Sequence, residues 1–235
     1  MNTPFVRTLV LACAALAASA HSASAQQTLN VTFGSFLIRG PGRLETDILH
    51  IEHNDLVFDI NDFNSLTLGG EWLVPIGERV EAGAGVSFLR RTVPTTHVRV
   101  RHSDGSAIER DLSLRQMPIA FTVRVLPLRQ SYSVQPYVGG GLAVVRWRFR
   151  ESGDFVAPNR AIFRNEEYEA TGNAVGPLFL IGLRAVTGTL AVGFEGRYQS
   201  ARGSFGPAFA RVVSPDIDLD GWTVQFTAGM RLGGR

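Results

Sequence analysis

The side chains best suited to chemistry are charged groups that alternate with apolar residues. Glu195 and Arg197 lie two residues apart, so both would point to the same side of a β-strand. The same polar positions of other alternating segments hold Arg124, Arg146, Arg184, Gln225 and Arg231. Because enclosed charges are costly unless they pair, we expect these groups to form an ion-pair network. The alternative is an anion-preferring path, since arginine outnumbers glutamate in this set.

The segment from Asp47 to Asp62 contains a second set of candidate ligands. His50, Glu52 and His53 lie there among several aspartates. Imidazole and carboxylate groups bind divalent cations, but this spacing fits neither the HExxH helix nor the EF-hand loop. We interpret the segment as a solvated acidic loop, and we predict no metal site and no cofactor.

Two serines are candidate nucleophiles. Ser103 lies between His102 and Asp104, but a catalytic triad needs nucleophile–base geometry that three neighbours in a turn do not supply. Ser200 follows an alternating segment and has no histidine beside it in the sequence. We therefore predict that the protein is not an enzyme and has no catalytic residues.

The elements that would position these groups are β-strands, because apolar residues recur with a period of two after residue 26. Eight such segments are predicted at 29–38, 65–74, 80–91, 112–125, 134–149, 177–186, 190–200 and 221–232. The connections after the second, fourth and sixth segments are short, whereas the other four span about 20 to 27 residues. Short turns at one end and long loops at the other are typical of an outer-membrane barrel. Residues 97–105 look like the tip of a hairpin, and ten strands remain an alternative if 48–60 holds two more.

Composition limits the function. The chain has 235 residues with 23 basic side chains, all arginine, against 21 acids, which excludes a strongly basic nucleic-acid-binding protein. A single cysteine excludes a disulfide framework and a CxxC site. Residues 1–25 show the order of a secretory signal peptide: Arg7, an apolar stretch, then Ala23-Ser24-Ala25 before the cleavage point. Residues 26–235 are then predicted to form one barrel domain.

The direction of the apolar face separates two kinds of barrel. A membrane barrel is apolar outside and polar inside, whereas a soluble periplasmic lipid-binding barrel is the reverse. Large aromatic residues fall near the predicted strand ends, where membrane barrels carry girdles at the water interface. These are Trp72, Tyr137, Trp147, Tyr198 and Trp222. Together with the loop lengths, they favour the membrane barrel.

Three stretches resemble small outer-membrane β-barrel proteins of the OmpA-like, OmpX-like and OmpW-like class: 135–142, 195–199 and 217–222. The resemblance implies an eight-stranded barrel that the barrel-assembly machinery inserts. The last strand alternates as that class requires, but the chain ends Leu232-Gly233-Gly234-Arg235 without the usual final aromatic residue.

We therefore expect an all-β, up-and-down antiparallel barrel in the outer membrane of a Gram-negative bacterium. Short turns would face the periplasm and long loops the exterior. The expected role is structural or surface-interacting, with a filled lumen, outer-membrane lipid around the barrel and no nucleic acid. Three alternatives are a narrow channel for small anionic solutes, a lipid-modifying enzyme with Ser200 at the outer rim, and a soluble periplasmic lipid carrier.

Overall fold

The computed structural model describes residues 27–39, 47–157, 161–205 and 216–233. Eight long strands are β1 (Gln27–Ile38), β3 (Ser65–Pro75), β4 (Val80–Arg101), β5 (Ala107–Val125), β6 (Val134–Val156), β7 (Ile162–Thr187), β8 (Leu190–Gln199) and β11 (Gly221–Leu232). Short elements are helix α1 (Ile48–Glu52), β2 (Leu56–Val57), a 3₁₀ turn (Ile60–Phe63), β9 (Arg202–Ser204) and β10 (Asp216–Asp218). The predicted signal peptide lies outside the described residues. No helix in these ranges is long and apolar enough to span a membrane.

The eight long strands close into a ring. Each pairs antiparallel with its neighbours in sequence order, and β1 pairs with both β3 and β11. Within the ring, closure leaves each of the eight strands paired on both sides, as a sheet surrounded by lipid requires. The eight-stranded up-and-down barrel is therefore confirmed. The ten-strand alternative is wrong, because 48–60 contains α1 and β2 instead of two spanning strands.

Apolar side chains cover the outside of the ring, and the inside holds both the buried polar side chains and an apolar core. On β1, Phe33 is 54% exposed while its neighbour Thr32 is 5% exposed. The same alternation exposes Ile119, Phe121 and Val123 on β5. The apolar outer face contradicts the soluble lipid carrier, whose outer face would be polar.

Two of the four predicted long connections continue outward as paired strands. β4 and β5 pair out to Arg101 and Ala107, with one register shift between Thr96 and Arg101. β6 and β7 pair out to Val156 and Ile162, with one register shift between Gly153 and Phe155. The tip at 102–106 matches the predicted hairpin, and Gly105 there has a φ of +85°, which favours glycine. The barrel wall thus extends outward as a four-stranded sheet.

The segment predicted as a solvated acidic loop instead caps the outer mouth of the barrel. Its apolar side chains Ile48, Leu49, Leu56, Phe58 and Phe63 are buried in one core with inward-facing residues of β4, β5 and β6. The acids serve the backbone around this core. Asp59 and Asp62 form a reciprocal capping box on the 3₁₀ turn, which fixes the approach to β3. The acids that are frequent in this segment made it look solvated, although apolar residues lie between them.

The side chains of strand β6 point to the opposite side of the barrel wall from the one predicted. Tyr137 and Trp147 are 2% and 1% exposed and point inward, so they are not girdle residues, whereas Trp72 and Trp222 are about half exposed. Arg146 points outward. Both faces of β6 are largely apolar, and its polar positions therefore did not identify the lumen. Glycines accommodate the inward aromatic groups: a Cβ on Gly182 would lie 2.4 Å from the Tyr137 ring.

Candidate functional site

The centre of the lumen holds two carboxylates and two guanidiniums in mutual contact. Arg124 on β5 donates through Nη2 to Glu71 at 2.6 Å and to Glu195 at 2.7 Å. Arg197 on β8 donates through Nη2 to Glu71 at 2.8 Å and through Nε to Glu195. The four formal charges cancel. The Arg124 guanidinium is 1% exposed, so the pairing offsets a large desolvation cost.

Neutral side chains complete the coordination of Glu195. The Tyr137 hydroxyl donates to Oε2 at 2.9 Å, and the Gln225 amide donates to Oε1 at 3.0 Å. The Arg124 guanidinium also lies 4.7 Å from the centre of the Tyr137 ring, within cation–π range. Both Glu195 oxygens are thus satisfied by several donors, which is the condition for burying a carboxylate in a narrow barrel.

A second cluster lies towards the short-turn end of the lumen. Arg184 on β7 donates to Glu81 at 2.7 Å and to Gln135 at 2.6 Å. The Gln135 amide in turn donates to the backbone carbonyls of Gln130 and Tyr132 in the connection before β6. Arg231 on β11 faces the same end, close enough to Arg184 and Glu81 to interact with their charges.

Little space remains between these groups. The lumen cavity lined by Thr32, Thr67, Glu71, Arg197 and Gln225 has a volume of about 20 Å³. A volume of roughly this size holds about one water molecule. Above it lies the apolar cap, and below it lies the Arg184 cluster. The described part of the barrel is therefore filled at three levels.

Most of the predicted lumen residues occupy the lumen. Glu195, Arg197, Arg124, Arg184, Gln225 and Arg231 face inward. Arg146 does not, because β6 has the opposite facing. Glu71 and Glu81 also line the lumen and were not predicted there. Glu71 directly precedes the outward Trp72, so the alternation of β3 indicates that its side chain points inward. These two glutamates reduce the arginine excess on which the anion path depended.

A third ion cluster lies outside the apolar belt, between the cap and the extended sheet. Arg110 Nη1 lies 3.0 Å from Glu52 Oε2 and 3.5 Å from Glu151 Oε2. Its guanidinium also lies 3.9 Å above the Phe155 ring. Burial and the nearby Glu52 carboxylate raise the pKa of Glu151 to about 8, and burial likewise raises the pKa of Glu52. Because two acids share one cation here, the Glu151 carboxyl group favours its protonated form at neutral pH.

The remaining chemical candidates are engaged in structural contacts. The Ser200 hydroxyl donates to Asp220 at 3.1 Å. His102 Nε2 lies 3.0 Å from Asp154 on the neighbouring hairpin, and Asp104 accepts from Ser106. Among the described residues, no three His, Cys, Asp or Glu side chains are grouped to hold a metal ion.

Comparison with solved structures finds similar barrels at low sequence identity. Ail, the attachment invasion locus protein of Yersinia pestis, in complex with the heparin analogue sucrose octasulfate, gives a TM-score of 0.47 at 10% identity, over 88% of this chain and 99% of that one. Neisserial surface protein A (NspA) gives 0.47 at 10% identity, over 90% and 98%. The outer membrane protease OmpT of Escherichia coli gives 0.43 at 10% identity, over 91% and 99%.

No protein-family profile and no curated protein matches the sequence. The likeness is one of fold. The predicted resemblance to small outer-membrane barrels is confirmed at that level by the closed ring of eight antiparallel strands with an apolar exterior.

Proposed function

We propose that this protein is an outer-membrane barrel with a closed lumen, which acts through its outer surface and not as a channel or an enzyme. The apolar exterior supports the membrane placement. Leu29 and Leu37 on β1 both point outward and lie eight residues apart, which corresponds to about 21 Å along the membrane normal for a strand tilted by about 40°. That height is close to the apolar band of about 25 Å in known barrels.

The filled lumen is the single observation that carries the proposal of a non-channel role. Solutes would have to separate Arg124 from Glu71 and Glu195 and also displace the cap around Phe58 and Phe63. The central charges are held by contacts of 2.6 to 2.8 Å across the barrel. Breaking such buried pairs costs about 3–5 kcal/mol each, so spontaneous opening would be rare.

The extended sheet supports a role at the surface. Charged side chains link and support the two hairpins. His102 Nε2 on the first lies 3.0 Å from Asp154 on the second, and within the second hairpin Arg150 lies 3.2 Å from both Glu167 and Glu169. A sheet that continues from the barrel wall holds its outer side chains on a rigid support. Rigid elements are better than loops at presenting a binding surface.

Placement is tested by membrane fractionation with gel migration before and after boiling. A closed barrel stays folded in cold detergent and migrates differently from the heated chain. We expect recovery in the outer membrane and a heat-dependent shift. Recovery as a soluble protein without a shift would contradict the placement.

The closed lumen is tested by planar-bilayer recording of the purified protein. We expect no reproducible ohmic conductance, and no uptake of small solutes in liposome swelling. A stable conductance would contradict the filled lumen and favour the narrow channel. Anion selectivity of that conductance would assign the path to the lumen arginines.

A further inference from the structure

Three arginines lie side by side on the outer face of the barrel, just beyond the apolar belt. Arg90 on β4 pairs in register with Arg115 on β5, and Arg115 pairs in register with Arg148 on β6. All three side chains are exposed. Directly paired residues on one face have Cβ atoms about 5 Å apart, so the guanidiniums form a row across three strands.

A fourth arginine lies one step closer to the membrane. Arg146 on β6 pairs with Met117 on β5, and both point outward. Together with Arg115, Arg148 and Thr171, they line a surface recess of about 250 Å³. The recess therefore has cationic walls and an apolar contribution from Met117 on its membrane side.

The arginines outnumber the acids that pair with them. Arg148 lies 3.4 Å from Glu169. Within the described ranges, no ion pair involves Arg90, Arg115 or Arg146. Like charges placed directly opposite each other on a sheet are destabilising. An anion bound across the row would remove this repulsion, and a phosphate accepts paired hydrogen bonds from the planar guanidinium fork.

The height of the row identifies the source of the anion. Phe88 lies on the same face of β4 as Arg90, two residues closer to the membrane, and it is exposed and apolar. Two residues of a tilted strand rise about 5 Å along the membrane normal, and the headgroup layer is about 5–8 Å thick. A phosphate on a lipid headgroup, with acyl chains against Phe88 and Met117, would meet the row at this level.

We propose that Arg90, Arg115, Arg146 and Arg148 bind the phosphate of a phosphorylated outer-leaflet glycolipid. The inference rests on the proposed membrane placement and adds a ligand class that the closed barrel alone does not require. It concerns the outer wall, so it is independent of whether the lumen conducts. Three features of this surface each fit one part of such a lipid: the row of arginines, the apolar Phe88 below it, and the recess between β5 and β6.

The test compares the refolded wild-type barrel with Arg90→Gln/Arg115→Gln/Arg146→Gln in detergent micelles. Lipid A, dephosphorylated lipid A and sodium phosphate are titrated separately, with one-to-one complexes counted by native mass spectrometry and unfolding temperature measured alongside. We expect wild type to bind lipid A, and the triple variant to bind it at least about tenfold more weakly. Dephosphorylated lipid A should bind both proteins equally weakly.

A matched control removes the same charge elsewhere. Arg79→Gln/Arg99→Gln/Arg129→Gln changes three exposed arginines away from the row and should bind lipid A like wild type. Arg90→Lys/Arg115→Lys/Arg146→Lys keeps the charge without the fork, so its affinity should be intermediate.

Three outcomes would overturn the inference. The first is equal lipid A binding by wild type and the glutamine variant. The second is equal binding of dephosphorylated lipid A by wild type, which would show acyl contact alone. The third is full occupancy by sodium phosphate at the concentrations at which lipid A binds, which would show a site for free anions. Failure of the membrane placement is distinguishable, because it would appear as soluble recovery in fractionation, which the lipid titrations of the refolded protein do not measure.

Discussion

Arg124 Nη2 lies 2.7 Å from Glu195 Oε2, although the two residues are on strands that are not hydrogen-bonded neighbours. The pair thus connects β5 to β8 across the lumen, and Glu71 extends the connection to β3. Backbone hydrogen bonds in a barrel join only adjacent strands. The lumen charges therefore provide cross-links that the ring itself lacks.

The first prediction concerns these cross-links. Arg124→Met should destabilise the barrel by about 3–5 kcal/mol, because it leaves Glu71 and Glu195 buried with only Arg197 to balance them. The measurement is urea unfolding from lipid vesicles, followed by tryptophan fluorescence. Arg129→Met removes an exposed arginine from a short turn and should change stability by less than about 0.5 kcal/mol.

A double variant separates the ion pair from simple loss of packing. Glu71→Gln/Arg124→Met removes one unbalanced acid, so it should be more stable than Arg124→Met alone. If the double variant is instead as unstable as the sum of the two single changes, Arg124 and Glu71 are not energetically coupled and the network interpretation is wrong.

Much of the fold was predictable because a strand has a period of two and one face of most strands is clearly apolar. Strands β8 and β11 illustrate this, since Glu195 and Gln225 mark the lumen face unambiguously. Strand β6 could not be assigned in the same way. Its inward Trp147 and its outward Arg146 reverse the usual expectation, and only the register with β5 and β7 fixes their direction.

The site was predictable only in part, because sequence spacing gives a side chain's face but not its partner. The sequence predicts Arg184 in the lumen, but its partner Glu81 lies 103 residues away in the chain. The cap was missed for a different reason. Phe58 and Phe63 lie in an acid-rich segment with no regular period, and their burial depends on the shape of the barrel mouth.

The second prediction concerns the close approach of β6 to β5 at Gly141. A Cβ at Gly141 would lie 1.8 Å from the Phe121 carbonyl oxygen, whereas one at the neighbouring Gly140 would lie 3.2 Å from the nearest atom. Gly141→Ala should therefore destabilise the barrel by about 1–3 kcal/mol, and Gly140→Ala should cost less. Unfolding in urea measures both. Equal effects would show that lost glycine flexibility, not the close approach, governs this strand.

The third prediction concerns the apolar cap. Phe63→Ala should destabilise the cap by about 3–5 kcal/mol, because the ring is 1% exposed and packs edge-on against Phe58. Hydrogen exchange of the cap backbone should become faster, while the barrel strands remain protected. Val57→Ala, at a side chain that is 59% exposed, is the control and should leave exchange unchanged. Conductance should still be absent, since the Arg124 network closes the lumen below.

The fourth prediction concerns pH. The pKa of Glu151 is raised to about 8 by burial and by Glu52, so the folded state holds a proton that the unfolded chain releases near pH 4.5. The resulting stabilisation is complete below about pH 4.5 and is lost as the pH rises through about 8. Proteolysis of the extended sheet should therefore be slower at pH 5 than at pH 8.5 once protease activity is corrected with an unfolded substrate.

Glu151→Gln mimics the protonated acid, so it should slow cleavage at pH 8.5 by at least about threefold and remove most of the pH dependence. Glu109→Gln, an exposed acid on β5, should retain the wild-type profile. A wild-type profile in Glu151→Gln would show that the pH dependence arises elsewhere.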